Sequence, residues 1–267
     1  MKINIKTVNE RKLCVEFTKT GWKNTNQLMR IQMKALLSFF LLVYSGFALC
    51  QLNMSGLEKQ SFLIGTLDDS MGHQQTITAT KDSTYFQLID VYSQDQKYIA
   101  LLIDSLFKTE YTDFHMTNNG APKGIRLYSK SLSLKVNSFF NYLPSGVCTA
   151  YHDTIYTGYI KPEKFNQLEK LSFLTGAFLR NGGKTNANEY FFTLPNSTSK
   201  AKLCVDLLKE FNCLDVKHVI LNNIPVGHWI TFKPGEKVLS MIKRVENIKK
   251  VTPFPSTVLN YIMTRIN

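Results

Sequence analysis

Two sixteen-residue stretches hold the side chains with the most chemical promise. In "LEKQSFLIGTLDDSMG", residues 57–72, a helix-like run ends in Asp68, Asp69 and Ser70. In "LEKLSFLTGAFLRNGG", residues 168–183, the matching positions are Leu179, Arg180 and Asn181. Adjacent carboxylates present the anionic oxygens that a hard divalent cation such as Mg2+ takes as ligands. A solvated helix end accounts for Asp68 and Asp69 as well, and the second stretch offers no acid at all. The two stretches agree at Leu57/Leu168, Glu58/Glu169, Lys59/Lys170, Ser61/Ser172, Phe62/Phe173, Leu63/Leu174, Gly65/Gly176 and Gly72/Gly183, each pair 111 residues apart. Agreement at half of the positions marks an internal repeat.

Elsewhere the chemistry is thin. His73, His115, His152, His218 and His228 have no metal-ligand spacing, and Cys14, Cys50, Cys148, Cys204 and Cys213 form no CxxC pair, so neither a metal site nor a disulfide framework is read from them. The 267 residues carry 44% hydrophobic and 19% charged side chains, the balance of a globular chain. Of the net charge of +12, residues 1–34 hold +6 (8 Lys/Arg less 2 Asp/Glu) and the remainder +6 (24 less 18). A basic body suits a polyanionic partner.

The elements that must position these residues also repeat. After each glycine-ended helix comes a strand pair, read from Thr76/Thr78/Thr80 and Tyr85–Tyr92 in the first half and from "EYFFTL" in the second. An amphipathic helix follows each, over 93–108 with Ile99, Leu102, Ile103 and Leu106 on one face, and over 197–212 with Leu203, Leu207, Leu208 and Phe211. A second hairpin then matches Pro122/Pro225 and Gly124/Gly227, and closing helices are expected over 131–143 and 235–246. The expected units are a first repeat over 51–143, a linker over 144–167, a second repeat over 168–246 and a tail over 247–267. The linker carries Pro144, Gly146, Gly158 and Pro162 and is long for a connection within one sheet.

Residues 1–50 form a basic and apolar extension. Taken from Met33, a basic start, an uncharged run from Ala35 to Cys50 and small residues before Gln51 have the shape of a secretory signal or anchor, which would put 35–50 in contact with a membrane. A fused upstream reading frame is the alternative. The location expected is exported or membrane-anchored on the first reading, intracellular or organellar otherwise.

Two αββαββα halves, each opened by a helix carrying an interior glycine, resemble the LAGLIDADG homing endonucleases in single-chain form. The resemblance runs over residues 57–246, and the second half is also similar to bacterial transcription regulators with a degenerate LAGLIDADG domain. It implies an α+β fold with an internal pseudo-twofold, in which the opening helices cross at Gly65 and Gly176 and antiparallel sheets form a saddle for nucleic acid. A mid-helix glycine costs about 1 kcal/mol relative to alanine, so a packing reason is expected for both.

The resemblance further implies a monomer that binds double-stranded DNA, or intron RNA, and that cleaves it with Mg2+ held by one acid from each helix. The family's acid lies five residues after the crossing glycine, and those positions are Ser70 and Asn181. Asp69, with Asp68 beside it, is the remaining candidate for catalysis and metal binding. Neutral side chains at both motif positions predict weak cleavage or none. Lys123, Arg126 and Lys130 in the first late hairpin, and Lys217, His228 and Lys233 in the second, are the expected nucleic-acid contacts. An exported or membrane-anchored binding module reusing the fold is the competing function.

Overall fold

The computed structural model describes residues 56–68, 73–76, 88–118, 124–148, 154–185, 189–222 and 226–249. The extension over residues 1–50, with its signal or anchor reading, lies outside them. Among the described residues no helix is long and apolar enough to cross a membrane.

Two helices form the centre. Helix α1, Lys59–Thr66, is short, and from Ser61 onward every residue is buried. Helix α4, Gln167–Asn181, is longer and starts on a capping box: the Asn166 side chain accepts the Leu168 and Glu169 N–H groups, and Glu169 accepts the Asn166 N–H in return. Helix α1 has no side-chain cap of its own, but the Glu58 N–H before it donates to Ser172 Oγ on α4 at 2.9 Å. Its first turn is thus held by the other helix. Phe62, Leu63, Ile64, Phe173, Leu174 and Ala177 are each at most 1% exposed, so this crossing is fully buried among the described residues.

Each half then runs in the same order. The first comprises α1, β1 (His73–Thr76), β2 (Leu88–Tyr92), α2 (Lys97–Phe107), β3 (His115–Thr117), β4 (Ile125–Tyr128) and α3 (Lys130–Asn137). The second comprises α4, β7 (Gly182–Lys184), β8 (Tyr190–Pro195), α5 (Thr198–Glu210), β9 (Leu214–Leu221), β10 (Gly227–Lys233) and α6 (Glu236–Lys249). The fold is α+β, two αββαββα units with antiparallel sheets. Sheet orders agree as well: β2-β4-β3 in one half and β8-β10-β9 in the other. Ile99, Leu102 and Ile103 are buried as their spacing requires, and so are Leu203, Leu207, Leu208 and Phe211.

The halves part company at their first strand. Strand β7 pairs with β8, from Gly182 opposite Phe192 to Lys184 opposite Tyr190. Strand β1 instead pairs with β6 (Thr154–Ile160), from His73 opposite Gly158 to Thr76 opposite Ile155. Among the described residues β1 and β2 lie in different sheets. The hairpin expected between them over 76–92 is therefore corrected for those parts, residues 77–87 lying outside the description.

The partner that captures β1 comes from the expected linker. Strands β5 (Phe140–Cys148) and β6 pair antiparallel and make a third sheet in the order β1-β6-β5. Half of residues 144–167, namely 144–148 and 154–160, is thus paired strand rather than irregular connection. For the same reason α3 ends at Asn137 instead of reaching 143: Phe140 already faces Ile160 in the ladder. At the other end α6 runs to Lys249, three residues past the expected boundary.

Candidate functional site

The α1–α4 crossing is built on reciprocal close approach. A Cβ placed on Gly65 would press into the Phe173 carbonyl and lie 2.8 Å from the Ala177 nitrogen. One placed on Gly176 would press into the Phe62 carbonyl and lie 3.0 Å from the Thr66 nitrogen. Those neighbours, Phe62/Phe173 and Thr66/Ala177, are themselves related by the 111-residue offset of the repeat. Real Cβ atoms do not approach backbone so closely, which is why both positions are glycine.

Below the crossing the two helices end differently. Helix α4 continues through Arg180 and Asn181, while α1 stops at Thr66 and the chain turns extended at Leu67. Asp68 therefore lies past the helix rather than on it. Asp69 and Ser70 lie outside the described residues, and Asn181 is the half-buried last residue of α4.

What fills the space is a guanidinium. Arg180 is 6% exposed, and its planar fork meets four oxygens from three segments. Nη1 donates to the Thr66 carbonyl at 2.7 Å and to Asp90 Oδ2; Nη2 donates to the Val91 carbonyl at 2.9 Å and lies 3.6 Å from Asp68 Oδ2. The Tyr92 ring covers it, centroid 4.5 Å from Cζ, a cation–π contact with its own hydroxyl 3.1 Å from Thr66 Oγ1. Asp90, on β2 and 7% exposed, also accepts the Val91 N–H at 2.7 Å and the Asp68 N–H at 3.0 Å. A second cation joins it. Lys200, 1% exposed on α5, donates to the Leu67 carbonyl at 2.7 Å. Two positive side chains thus take the free carbonyls at the C-terminal, negative end of α1.

The protonation physics agrees with this geometry. Burial pushes the Asp90 carboxyl up from the ordinary carboxylate range, while Arg180 and the two backbone N–H groups hold it down. Burial works to lower the Arg180 pKa, but Asp90, Tyr92 and Asp68 together raise it. A guanidinium does not lose its proton in a protein, so Asp90 is its counter-ion. Burial pushes the Tyr92 hydroxyl far up as well, leaving it a neutral donor.

These residues do not fit a nuclease metal pair. The described carboxylates at the crossing, Asp68 and Asp90, already face Arg180, and Asn181 is neutral. Among the described residues no three His, Cys, Asp or Glu side chains converge on a point where a metal ion would be held. Asp90, Tyr92 and Lys200 were missed by sequence reasoning; the available signal was a lone acid inside the apolar strand "LIDVY".

The expected nucleic-acid contacts scatter. Alternation along the strands decides which face each takes. On β4, Ile125 and Leu127 are buried, and Arg126 and Tyr128 point to the opposite, outer face, where Tyr128 stacks on His115 with centroids 5.3 Å apart. On β10, Ile230 and Phe232 point inward; Phe232 stacks on Phe192, which meets Phe178 of α4 edge-on. Thr231 is outward, with Lys217 of β9 opposite it and exposed. Lys233 is exposed at the end of β10 and paired with Asp215 at 2.6 Å. Lys130 is exposed but opens α3 rather than lying on a strand, and Lys123 lies outside the described residues.

His228 is a correction. It shares the inward parity of Ile230 and Phe232 and is 2% exposed. Its Nε2 lies 3.3 Å from Thr198 Oγ1, and its Nδ1 lies 3.0 Å from His218 Nε2. No ligand on the outer face reaches it. Burial lowers the His218 pKa beside it. The outer face of this half also carries a closed apolar pair: Trp229, 3% exposed, stacks on Phe191 at 4.3 Å.

No family model and no curated protein matches the chain. Solved structures do. The homing endonuclease I-DmoI in complex with DNA and Ca is 16% identical, with 78% of this chain and 99% of that one covered at a TM-score of 0.45. Full-length DUF199/WhiA from Thermotoga maritima is 14% identical, with 78% and 66% covered at 0.40. The homing endonuclease I-WcaI bound to its DNA recognition sequence is 15% identical, with 75% and 84% covered at 0.37. The chain is similar in shape to LAGLIDADG homing endonucleases and to WhiA. At this distance the likeness assigns no role to any residue.

Proposed function

We propose that the chain is a LAGLIDADG-like nucleic-acid-binding protein that engages duplex DNA through the outer faces of its β2-β4-β3 and β7-β8-β10-β9 sheets and does not cleave it. The observation that carries the reading is the repeated placement of cations and hydrogen-bonding side chains away from the helices: Arg126, Tyr128, His115 and Thr117 in one half, Lys217, Thr231 and Lys233 in the other. Cations on such a face neutralise phosphates and position a duplex, while the neighbouring hydroxyl and ring groups are suited to base edges. The second half contributes less, since Trp229 and Phe191 close its middle and Asp215 holds Lys233.

The residues at the crossing support weak cleavage or none. Where one acid from each helix would hold Mg2+, the chain has Ser70 and Asn181 as neutral motif residues, and Arg180 faces Asp68 and Asp90. Equilibrium binding of duplex DNA across a salt series tests the proposal. Affinity falling steeply with salt is the expected result. No binding at low salt would sink it. An apolar run at 35–50 supports a second reading, an exported or membrane-anchored binding module; mature protein starting at Gln51 in an exported fraction would favour it.

A further inference from the structure

The donor set around Arg180 consists of oxygens alone. Thr66 and Val91 supply backbone carbonyls, Asp90 and Asp68 supply carboxylates, and these come from the end of α1, strand β2 and the extended chain directly after α1. Carboxylate and carbonyl oxygens converging on one positive charge are what Ca2+ and Mg2+ select, whereas a soft metal would call for sulfur or imidazole. Asp90 belongs to a strand, so this shell is not assembled from the positions five residues after each crossing glycine. Its three segments have contacts besides the guanidinium: α1 its close approach to α4, β2 its pairing with β4, and the Asp68 backbone the N–H it donates to Asp90.

We infer that Arg180 is a built-in cation occupying a hard-cation shell, and that the shell takes a divalent ion when the guanidinium is removed. Asp68 and Asp90 are balanced by Arg180 and by Lys200 on the neighbouring Leu67 carbonyl; taking the guanidinium away leaves one negative charge for a cation to answer. Wild type therefore needs no divalent ion at the junction, and the guanidinium excludes one. The inference does not depend on nucleic-acid binding.

The test is thermal unfolding of the full chain in EDTA and in a Ca2+ series, for wild type, Arg180→Gln, and Arg180→Gln with Asp90→Asn. Wild type should melt at one temperature throughout. Arg180→Gln should melt several degrees lower in EDTA, because a buried carboxylate is left without its partner, and should regain stability saturably with Ca2+. The double variant should lose that response. If Arg180→Gln fails to fold in either condition, Arg180→Ser replaces it: a short neutral side chain also vacates the shell, so its melting temperature should rise with Ca2+. A flat response in whichever of these two variants folds would overturn the inference. So would saturable Ca2+ stabilisation of wild type that Asp90→Asn abolishes.

Discussion

Gly65 lies against the Phe173 carbonyl of the neighbouring helix, and Gly176 lies against the Phe62 carbonyl in return. Each glycine is the other's clearance, so the crossing has no slack on either side. Gly65→Ala should destabilise the protein despite alanine's helix propensity advantage of about 1 kcal/mol, since overpacking against backbone costs about 1–3 kcal/mol and no side chain can swing away. Gly176→Ala should behave alike. Urea unfolding midpoints that stay at or above the wild-type value in both variants would show that the helices separate easily.

Binding to a duplex separates outer residues from inner ones. Arg126→Ala and Lys217→Ala should each flatten the dependence of log affinity on log salt by about one unit if each meets a phosphate. His228→Ala should leave that slope alone and lower the melting temperature instead, because the imidazole is enclosed between Thr198 and His218. A changed slope for His228→Ala with unchanged stability would mean that β10 presents its other face.

Divalent cations should matter to neither stability nor affinity in wild type. Duplex binding should be the same in EDTA and in Mg2+, and a supercoiled plasmid should stay intact in Mg2+. Metal-dependent nicking that Asp69→Asn abolishes would assign a ligand role to Asp69 and reopen the site.

Acid stability should depend on Asp113. This carboxylate accepts the Ser131 N–H at 3.0 Å and the Ser129 hydroxyl at 2.8 Å, tying the start of α3 to the turn before β3. Burial works to raise its pKa, but the Ser131 and Ser129 hydrogen bonds hold it at about 2, below the ordinary 3.8. For an acid depressed in the folded state the stabilisation is complete above the unfolded pKa and disappears as pH falls through the folded one. The difference in urea midpoint between wild type and Asp113→Asn should therefore shrink between pH 3.8 and about 2. A difference that stays constant over that window would remove the carboxylate's charge from the explanation.

The crossing was legible because the repeat aligned two mid-helix glycines that propensity alone disfavours. Element order was legible for the same reason, one half checking the other. Arg180 stood out as a cation next to Asn181, the position where an acid was expected, but its partner Asp90 is 90 residues away in the chain, and no local spacing connects a helix end to a strand that distant. His228 was a misreading that period two corrects: it has the parity of Ile230 and Phe232, whose burial was plain from their type. A strand was read after α1, but its partner was not: β2 and β6 both offer an antiparallel edge, and only tertiary packing chooses between them.

The pairing of β1 with β6 sets limits on how this molecule can be cut. A fragment ended at Leu143, the natural seam of the duplication, would keep β1 and discard the strand it is bonded to, exposing a bare edge. The first half becomes self-sufficient in its ladders only if it carries the chain on to Ile160. The second half has no such debt, since β7 closes on β8 within it. As parts for recombination the two halves are therefore unequal: the stretch joining them travels with the first, and grafts made at the repeat boundary should leave it stranded.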